Sequence, residues 1–411
     1  MRKFIHLVTA VLGITCFFNC QNDNDYESVL NIAPEKAELN LVKQNALDFA
    51  NDVADVTRGS GKAVTSVYAW RRSDLFPATR ANDNESILPD TMLYIVNFAN
   101  NDGYALVNAC SAYKEVVAYI ESGNLTPDSS IENPGLQIFL NGLADLYANP
   151  MDSLYYPFTP DTTLFVQYPN LIEFYWYNIR SVSPMLKTAW GQREPFNKYI
   201  NPYWNISCGV VAFGQILSKF RYPTFFNAHT YDWNEICSGP IPTTETGKDM
   251  AALLSADILS LTHFNIDYQY LQIGHDTLSR FQPTWNEFNY TWNYGNYDFN
   301  TCMNSLENNY PVMISGVNLS DSTAHIWVID GGMDRCYGEE LTDLNGAPMY
   351  VTMKRYKLVH CNWGWYGQDN GYFLSNAFNR RFAGDGLLNG SSHAYNSYPT
   401  MFYNIHPKKQ N

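Results

Sequence analysis

No two of the 8 cysteines in this 411-residue sequence are separated by just two residues. That removes the ligand spacing of a zinc framework, so no metal is expected. Charge is scarce at 16% of residues, and it leans acidic: 26 Lys and Arg stand against 40 Asp and Glu, for a formal net charge of -14. No basic cluster forms a stripe. Without one there is little to neutralise phosphates, which argues against a nucleic-acid partner. Beyond residue 18 no apolar run is long enough to cross a bilayer. Internal repeats and low-complexity tracts are also missing. What remains is 45% hydrophobic, the composition of a globular chain with packed cores and two or more domains. The 30 Tyr and 10 Trp name no ligand by themselves, and no cofactor motif is present.

The N-terminus is more specific. Arg2 and Lys3 precede an apolar run from Phe4 to Phe18, the charged and hydrophobic regions of an export signal. Cys20 follows, and then Gln21-Asn22-Asp23-Asn24-Asp25. The pattern resembles a bacterial lipoprotein signal of the Bacteroidetes type, whose cysteine becomes the lipidated first residue. Phe17-Phe18-Asn19 lacks the small residues usual before such a cysteine, and Cys16 is a rival site. The expectation is a signal over 1–20 and an exported chain. It is tethered to the cell envelope or surface by lipid on Cys20, or else periplasmic or secreted. Six cysteines remain: Cys110, Cys208, Cys237, Cys302, Cys336 and Cys361. An oxidising compartment permits disulfides among them, but spacing assigns no pairs.

Residues 21–34 read as a tether. Leu39, Val42, Ala46, Phe49 and Val53 then recur at helical spacing, and strand-like runs follow at Ala63 to Trp70, Thr91 to Phe98, Tyr104 to Asn108 and Val116 to Ile120. A helix followed by an antiparallel meander makes a first domain over 35–145. Residues 146–184, with Pro150, Pro157, Pro160 and Pro169, read as an exposed connection, the kind of segment that proteases cut. A second domain over 185–411 opens with helices, at Cys208 onward and from Met250 to Leu261. It closes with strands at Val312 to Val317, Ile326 to Asp330, Tyr350 to Val359 and Tyr372 to Leu374. The fold class is α+β in both domains.

Chemistry centres on Cys208. It precedes Val210, Val211, Phe213, Ile216, Leu217 and Phe220, the spacing of a buried helix that stops before Pro223. A thiol in the first turn of a helix sits among unpaired N–H groups at the positive end of the macrodipole, which favours thiolate. An inert buried cysteine is the plain alternative. A nucleophile also needs a base, an orienting group and oxyanion donors. His325 lies in Ala324-His325-Ile326-Trp327-Val328-Ile329-Asp330-Gly331-Gly332, at the mouth of a strand ending in a turn, which places it at a sheet edge. Asn362 could hold the imidazole tautomer, Trp363 could shield it from water, and Gln192 could donate an amide to an oxyanion.

Together these segments resemble the streptopain-like family of papain-fold cysteine peptidases. The family's Trp-x-Gln-x-x-Pro-Tyr/Phe-Asn is matched by Trp190-Gly191-Gln192-Arg193-Glu194-Pro195-Phe196-Asn197. Its nucleophile helix, Gly-Cys-Val-Ala-Thr-Ala-x-Ala-Gln-Ile-Met, is matched by Ser207-Cys208 through Gln215-Ile216-Leu217, with Tyr222-Pro223 after it. Tyr231-Asp232-Trp233, Tyr310-Pro311-Val312 and the His325 segment follow in family order. The closing Asn-Trp-Gly-Trp-Gly-Gly pattern is Asn362-Trp363-Gly364-Trp365-Tyr366-Gly367, with Gly371-Tyr372 beyond. The first domain is similar to the inhibitory propeptide of these enzymes.

The resemblance implies an exported cysteine endopeptidase made as a zymogen. Cys208 would be the nucleophile, His325 the base and Gln192 an oxyanion donor, with Asn362 and Trp363 orienting and covering the histidine. Protein or peptide substrates and the chain's own prodomain, as intramolecular inhibitor, are the implied partners. Two departures stand out: Gly209 follows the nucleophile, weakening the helix start by roughly 1 kcal/mol, and Ala324 replaces the glycine before the histidine. The rival reading is an inactive surface lipoprotein that keeps the fold as a binding or inhibitory module. An acyltransferase or amidase using the same dyad is a third.

Overall fold

The computed structural model describes residues 34–54, 61–71, 73, 90–148, 175–262, 278–318, 323–342, 348–378 and 399–408. The expected signal with Cys16 and Cys20, the tether up to residue 33 and the connection over 149–174 lie outside the described residues.

In the first domain α1 (Pro34–Val53) runs ahead of β1 (Val64–Arg71), β2 (Thr91–Phe98), β3 (Tyr104–Asn108) and β4 (Val116–Ile120), and α2 (Pro134–Ala148) closes it. The apolar stripe of α1 is buried as its spacing requires, with Val42, Ala46 and Phe49 inside. Helix α2 is not anticipated by the sequence, because Pro134-Gly135 and Gly142 look like breakers. Its start is capped by Asn133, whose Oδ1 accepts the Gly135 and Leu136 N–H groups at 2.9 and 3.4 Å. Its glycines are contact points with the second domain. A Cβ on Gly135 would stand 2.1 Å from the Trp363 ring, and one on Gly142 1.9 Å from the Ala377 carbonyl oxygen.

The second domain contains β5 (Tyr175–Val182), α3 (Cys208–Phe220), a small hairpin of β6 (Phe225–Phe226) and β7 (His229–Thr230), and α4 (Glu245–Thr262). Then come β8 (Tyr290–Asn296), α5 (Phe299–Glu307), β9 (Val312–Asn318), β10 (Thr323–Thr342), β11 (Pro348–Asn362), β12 (Gly371–Leu374) and β13 (Thr400–Pro407). Strand β5 falls inside the segment expected to be an exposed connection: it pairs antiparallel with β10 from Gly332↔Val182 to Gly338↔Tyr175. Strand β10 also departs from expectation. Gly331-Gly332 makes no turn but a register shift against β11, and the strand continues for 20 residues. Glycine is needed there because a Cβ on Gly331 would lie 2.8 Å from the Val182 carbonyl oxygen, and one on Gly332 2.8 Å from the Met303 sulfur.

One sheet joins the domains, in the order β1-β2-β3-β4-β12-β11-β10-β9-β13-β8, with β5 also on β10. The joint is the antiparallel pair β4–β12, with Tyr372 opposite Tyr119 and Phe373 opposite Ala118. Adjacent strand residues face opposite sides. Phe49 of α1 meets Tyr372 at 6.1 Å, whereas Phe139 of α2 meets Phe373 at 4.9 Å. The first domain therefore grips β12 by its edge and by both faces.

Among the described residues three ion pairs cross this joint: Asp52 to Arg335 at 2.5 Å, Glu115 to Lys354 at 3.4 Å and Glu121 to His360 at 3.3 Å. The first domain supplies the carboxylate each time. A large apolar cluster spans both domains and includes Phe49, Tyr119, Phe139, Trp327, Trp363 and Phe373. A second lies between α3, α4 and the sheet, with Trp190, Phe213, Ile258, Phe281, Trp285, Ile326 and Val328.

Candidate active site

Helix α3 begins at Cys208 because Ser207 caps it: the Ser207 hydroxyl accepts the Gly209 N–H at 3.3 Å. The unexpected Gly209 has a packing reason. A Cβ there would meet the Phe281 ring at 2.4 Å and the Ile326 Cδ1 at 3.1 Å, so its absence lets the helix start press against β10. That closeness sets the site. The Ile326 N–H donates to Cys208 Sγ at 3.3 Å. Two covalent bonds separate that nitrogen from the His325 Cα, which therefore lies within about 6 Å of the sulfur.

The imidazole itself faces the other way. Ile326 and Val328 belong to the cluster under α3, while Trp327 and Ile329 belong to the cluster shared with the first domain. His325 follows the Trp327 side, its ring nearly parallel to that indole with centroids 6.1 Å apart. His325 Nε2 is 2.8 Å from the Trp363 carbonyl oxygen, which fixes it as the protonated nitrogen. His325 is 2% exposed and pairs with Gly316 of β9, whereas the pairing of β10 with β11 begins only at Val328, so the residue lies beyond the end of that partner strand, on an edge that faces α3. Its cover includes the first domain. Gly135 of α2 lies on the Trp363 ring, and Ile138 of α2 reaches Gly316, which also meets the Trp327 ring.

The electrostatics follow from that cover. Burial pushes the Cys208 thiol up to about 11, even though the Ile326, Gly209 and Cys208 N–H groups pull it down. The helix start thus does not deliver the expected thiolate in this state, because desolvation outweighs the backbone donors. Burial likewise lowers His325 to about 4, against the opposing effect of the Trp363 carbonyl. At neutral pH the pair is a thiol and a neutral imidazole.

Gln192 is tied to the stretch that leads into Cys208. Its backbone carbonyl accepts the Ile206 N–H at 2.8 Å and its side-chain Nε2 donates to the Ile206 carbonyl, two residues ahead of Cys208. Asn362 is buried, but its partners are different from those expected. Nδ2 donates to the Thr188 carbonyl at 2.7 Å, and Oδ1 accepts Gln215 Nε2 at 3.2 Å and the Gly364 N–H at 3.3 Å. It is the carbonyl of the next residue, Trp363, that meets the imidazole. The Trp363 indole donates to the Asp369 carbonyl at 2.8 Å and packs on Trp327 at 5.1 Å. Gln215, buried in α3, joins the same network. It accepts the Trp190 N–H at 3.1 Å while holding Asn362, so it ties three motifs together. A glutamine between Gly214 and Ile216 in an apolar helix was the available signal, since a buried amide must find partners.

All six cysteines after residue 20 are free thiols. Among the described residues no group of three or more His, Cys, Asp or Glu could hold a metal ion, and no helix is long and apolar enough to cross a membrane.

A thiol against the backbone beside a buried, neutral histidine, beneath a domain joined to the rest by a strand edge, points to a class: cysteine peptidases with the propeptide still docked. The model of the peptidase C10 family matches residues 190–373, and that of the Spi protease inhibitor matches residues 39–145. The chain is 23% identical over 348 residues to the thiol protease/hemagglutinin PrtT of Porphyromonas gingivalis, an alignment covering 73% of this chain and 36% of that protein. The chain thus spans about a third of that relative's length. It is also similar to the solved structure of prointerpain A from Prevotella intermedia, at 18% identity and a TM-score of 0.48, over 78% of this chain and 98% of that one. The active interpain A cysteine protease of the same organism gives 20% identity and a TM-score of 0.34, over 55% and 95% of the two chains.

Proposed function

We propose that the chain is a cysteine endopeptidase made as a zymogen, with Cys208 as nucleophile and His325 as its base. One observation carries the reading: the Ile326 N–H meets the Cys208 sulfur at 3.3 Å, so the neighbouring His325 can bring its ring to the sulfur by changing side-chain rotamer. In the latent form α2 and the Trp363 carbonyl hold that ring on the opposite face. Cutting the connection over 149–174 and releasing the first domain frees the ring and admits water. Desolvation then weakens on both groups, the thiol pKa falls, the imidazole pKa rises, and a thiolate–imidazolium pair forms.

The thiolate attacks a peptide carbonyl, the imidazolium protonates the departing amine, and water releases the acyl group from the thioester. Gln192 Nε2 and the Cys208 N–H serve as oxyanion donors, each contributing roughly 3 kcal/mol to lowering the barrier. Asn362 acts on His325 through the backbone it fixes at Trp363. Export, and a lipid on Cys20, belong to the same reading, which rests on the Arg2-Lys3 start, the apolar run and the acidic residues after Cys20.

Incubation of the full chain should yield a processed form that cleaves casein, and Cys208→Ala should cleave none. An electrophilic peptide trap should label Cys208 ahead of the other cysteines in the processed protein, and His325→Ala should reduce that labelling. Equal labelling of every accessible thiol, with no casein cleavage once the first domain is gone, would make the chain a binding module instead. Fatty-acid labelling that vanishes in Cys20→Ala tests the anchor.

A further inference from the structure

Tyr366 occupies the place where the closing motif of the resemblance carries glycine, and its backbone has a φ of +58°, a left-handed conformation that bulky side chains rarely adopt. Glycine would take that conformation freely. A tyrosine held there points to a use for the side chain, and its contacts all fall on one short segment. The Tyr366 N–H donates to the Trp190 carbonyl at 3.0 Å. Its hydroxyl accepts the Arg193 N–H at 2.7 Å and donates to the Glu194 carbonyl at 3.1 Å. Its ring lies against Gly191, where an added Cβ would stand 2.2 Å from ring carbon. Trp190, Gly191, Arg193 and Glu194 are thus each held by one residue, and the residue they bracket is Gln192.

The opposite side of Gln192 is engaged by Ile206, which exchanges hydrogen bonds with both its backbone and its side chain. The segment is therefore clamped between Tyr366 and the stretch leading into Cys208. Burial raises the Tyr366 pKa, so the phenol stays protonated at neutral pH and can accept from one backbone group while donating to the other.

We propose that Tyr366 is a positioning residue for peptide hydrolysis: its hydroxyl and backbone fix the Trp190-to-Glu194 segment so that the Gln192 amide is held beside Cys208 as an oxyanion donor. The inference rests on the peptidase reading above and adds to it a side chain that the family pattern does not contain. It is distinct from a packing role because it predicts which step suffers. Hydrolysis builds negative charge on the carbonyl oxygen, whereas alkylation of Cys208 by iodoacetamide displaces iodide and forms no oxyanion.

The test uses the full chain, matured by incubation or limited proteolysis, with rates normalised to titratable Cys208. Tyr366→Phe should lower kcat on a peptide amide about tenfold, a fraction of what losing a whole oxyanion donor costs. KM and the iodoacetamide rate should each stay within about twofold, as expected when only transition-state stabilisation is lost. A double-mutant cycle supplies the second arm: on a Gln192→Ala background, Tyr366→Phe should lower kcat by less than about twofold, because the donor it positions is already gone. Tyr366→Gly, which relaxes the backbone but removes the side chain, should resemble Tyr366→Phe or be worse.

An unchanged kcat in Tyr366→Phe, a parallel fall in alkylation, or the full tenfold loss on the Gln192→Ala background would each overturn the assignment. Wild-type protein without turnover would take down the peptidase reading and this inference together. Turnover in the wild type with an indifferent Tyr366→Phe overturns the inference alone.

Discussion

His325 and His360 sit on neighbouring strands of one sheet, at 2% and 3% exposure, yet they are held in opposite charge states. Burial alone would make both neutral. His325 obeys and drops to about 4, its ring facing the Trp363 carbonyl and the Trp327 indole. His360 rises to about 10, because burial is outweighed by Asp330, whose Oδ1 is 2.6 Å from Nδ1, and by Glu121, 3.3 Å from Nε2. The same domain contributes to both outcomes: it places a carboxylate beside His360 and the apolar helix α2 over the walls around His325. Burial therefore does not decide the charge of an imidazole here. The nearest carboxylate does.

The largest expected effect separates the two histidines by function. His325→Gln should lower turnover of the matured protein by about a thousandfold or more, with the zymogen's denaturation midpoint little changed. His360→Gln should reverse the pattern: it leaves Asp330 buried without its cation, at a cost of about 3–5 kcal/mol in zymogen stability, while turnover per folded molecule survives. Urea denaturation and peptide kinetics on the pair check this, and the comparison breaks if His360→Gln is as stable as wild type.

The pH dependence should run in opposite directions. His325 has a folded pKa below its unfolded value of about 6.5, so the unfolded chain takes up the proton first, and stability is lost as pH falls from about 6.5 toward 4, by on the order of 3 kcal/mol. His360 has a raised folded pKa. Its contribution is fully present below about pH 6.5 and is lost as pH rises through about 10. Denaturation midpoints across pH 4 to 10 for each Gln variant should remove one limb and leave the other. A wild-type acid limb that survives in His325→Gln would contradict the assignment.

A smaller effect sharpens the role of the cover. Gly135→Val puts side-chain carbon where Trp363 already is and should weaken first-domain docking by about 1–3 kcal/mol, read as faster appearance of activity during maturation. The smallest change is expected from Glu121→Gln. The Glu121 side chain is 47% exposed, so its loss should cost no more than about 1 kcal/mol. His360 should still titrate above its ordinary value because Asp330 remains. An NMR titration of the imidazole resolves this.

Periodicity located the elements whose partners are near in sequence. Strands β2, β3 and β4 coincide with the runs read at Thr91 to Phe98, Tyr104 to Asn108 and Val116 to Ile120, and the Cys208 helix begins at the residue expected. Helix α2 was hidden because its glycines serve a surface more than two hundred residues further along the chain, at Trp363 and Ala377, and local rules count them as breakers. Strand β5 was hidden among prolines and tyrosines because its partners, β10 and Glu307 of α5, lie more than a hundred residues further on in the chain. In the site, motif order pointed to Cys208, His325, Gln192, Asn362 and Trp363, and the fold brings these five into one region. Their individual bonds were not legible: Asn362 holds Gln215 and Thr188, and the imidazole faces a backbone carbonyl.

Residue order and type alone determined that a thiol opens an apolar helix, that a histidine lies on a strand after it, and that a separate helix-and-meander unit comes first. These are matters of side-chain chemistry and short-range spacing, which a linear chain carries by itself. Which face of β10 the imidazole takes, and whether either partner of the pair is charged, was decided only in three dimensions. Both depend on water being excluded by segments far away in the chain, and the cost of burying a charge has no counterpart in local sequence.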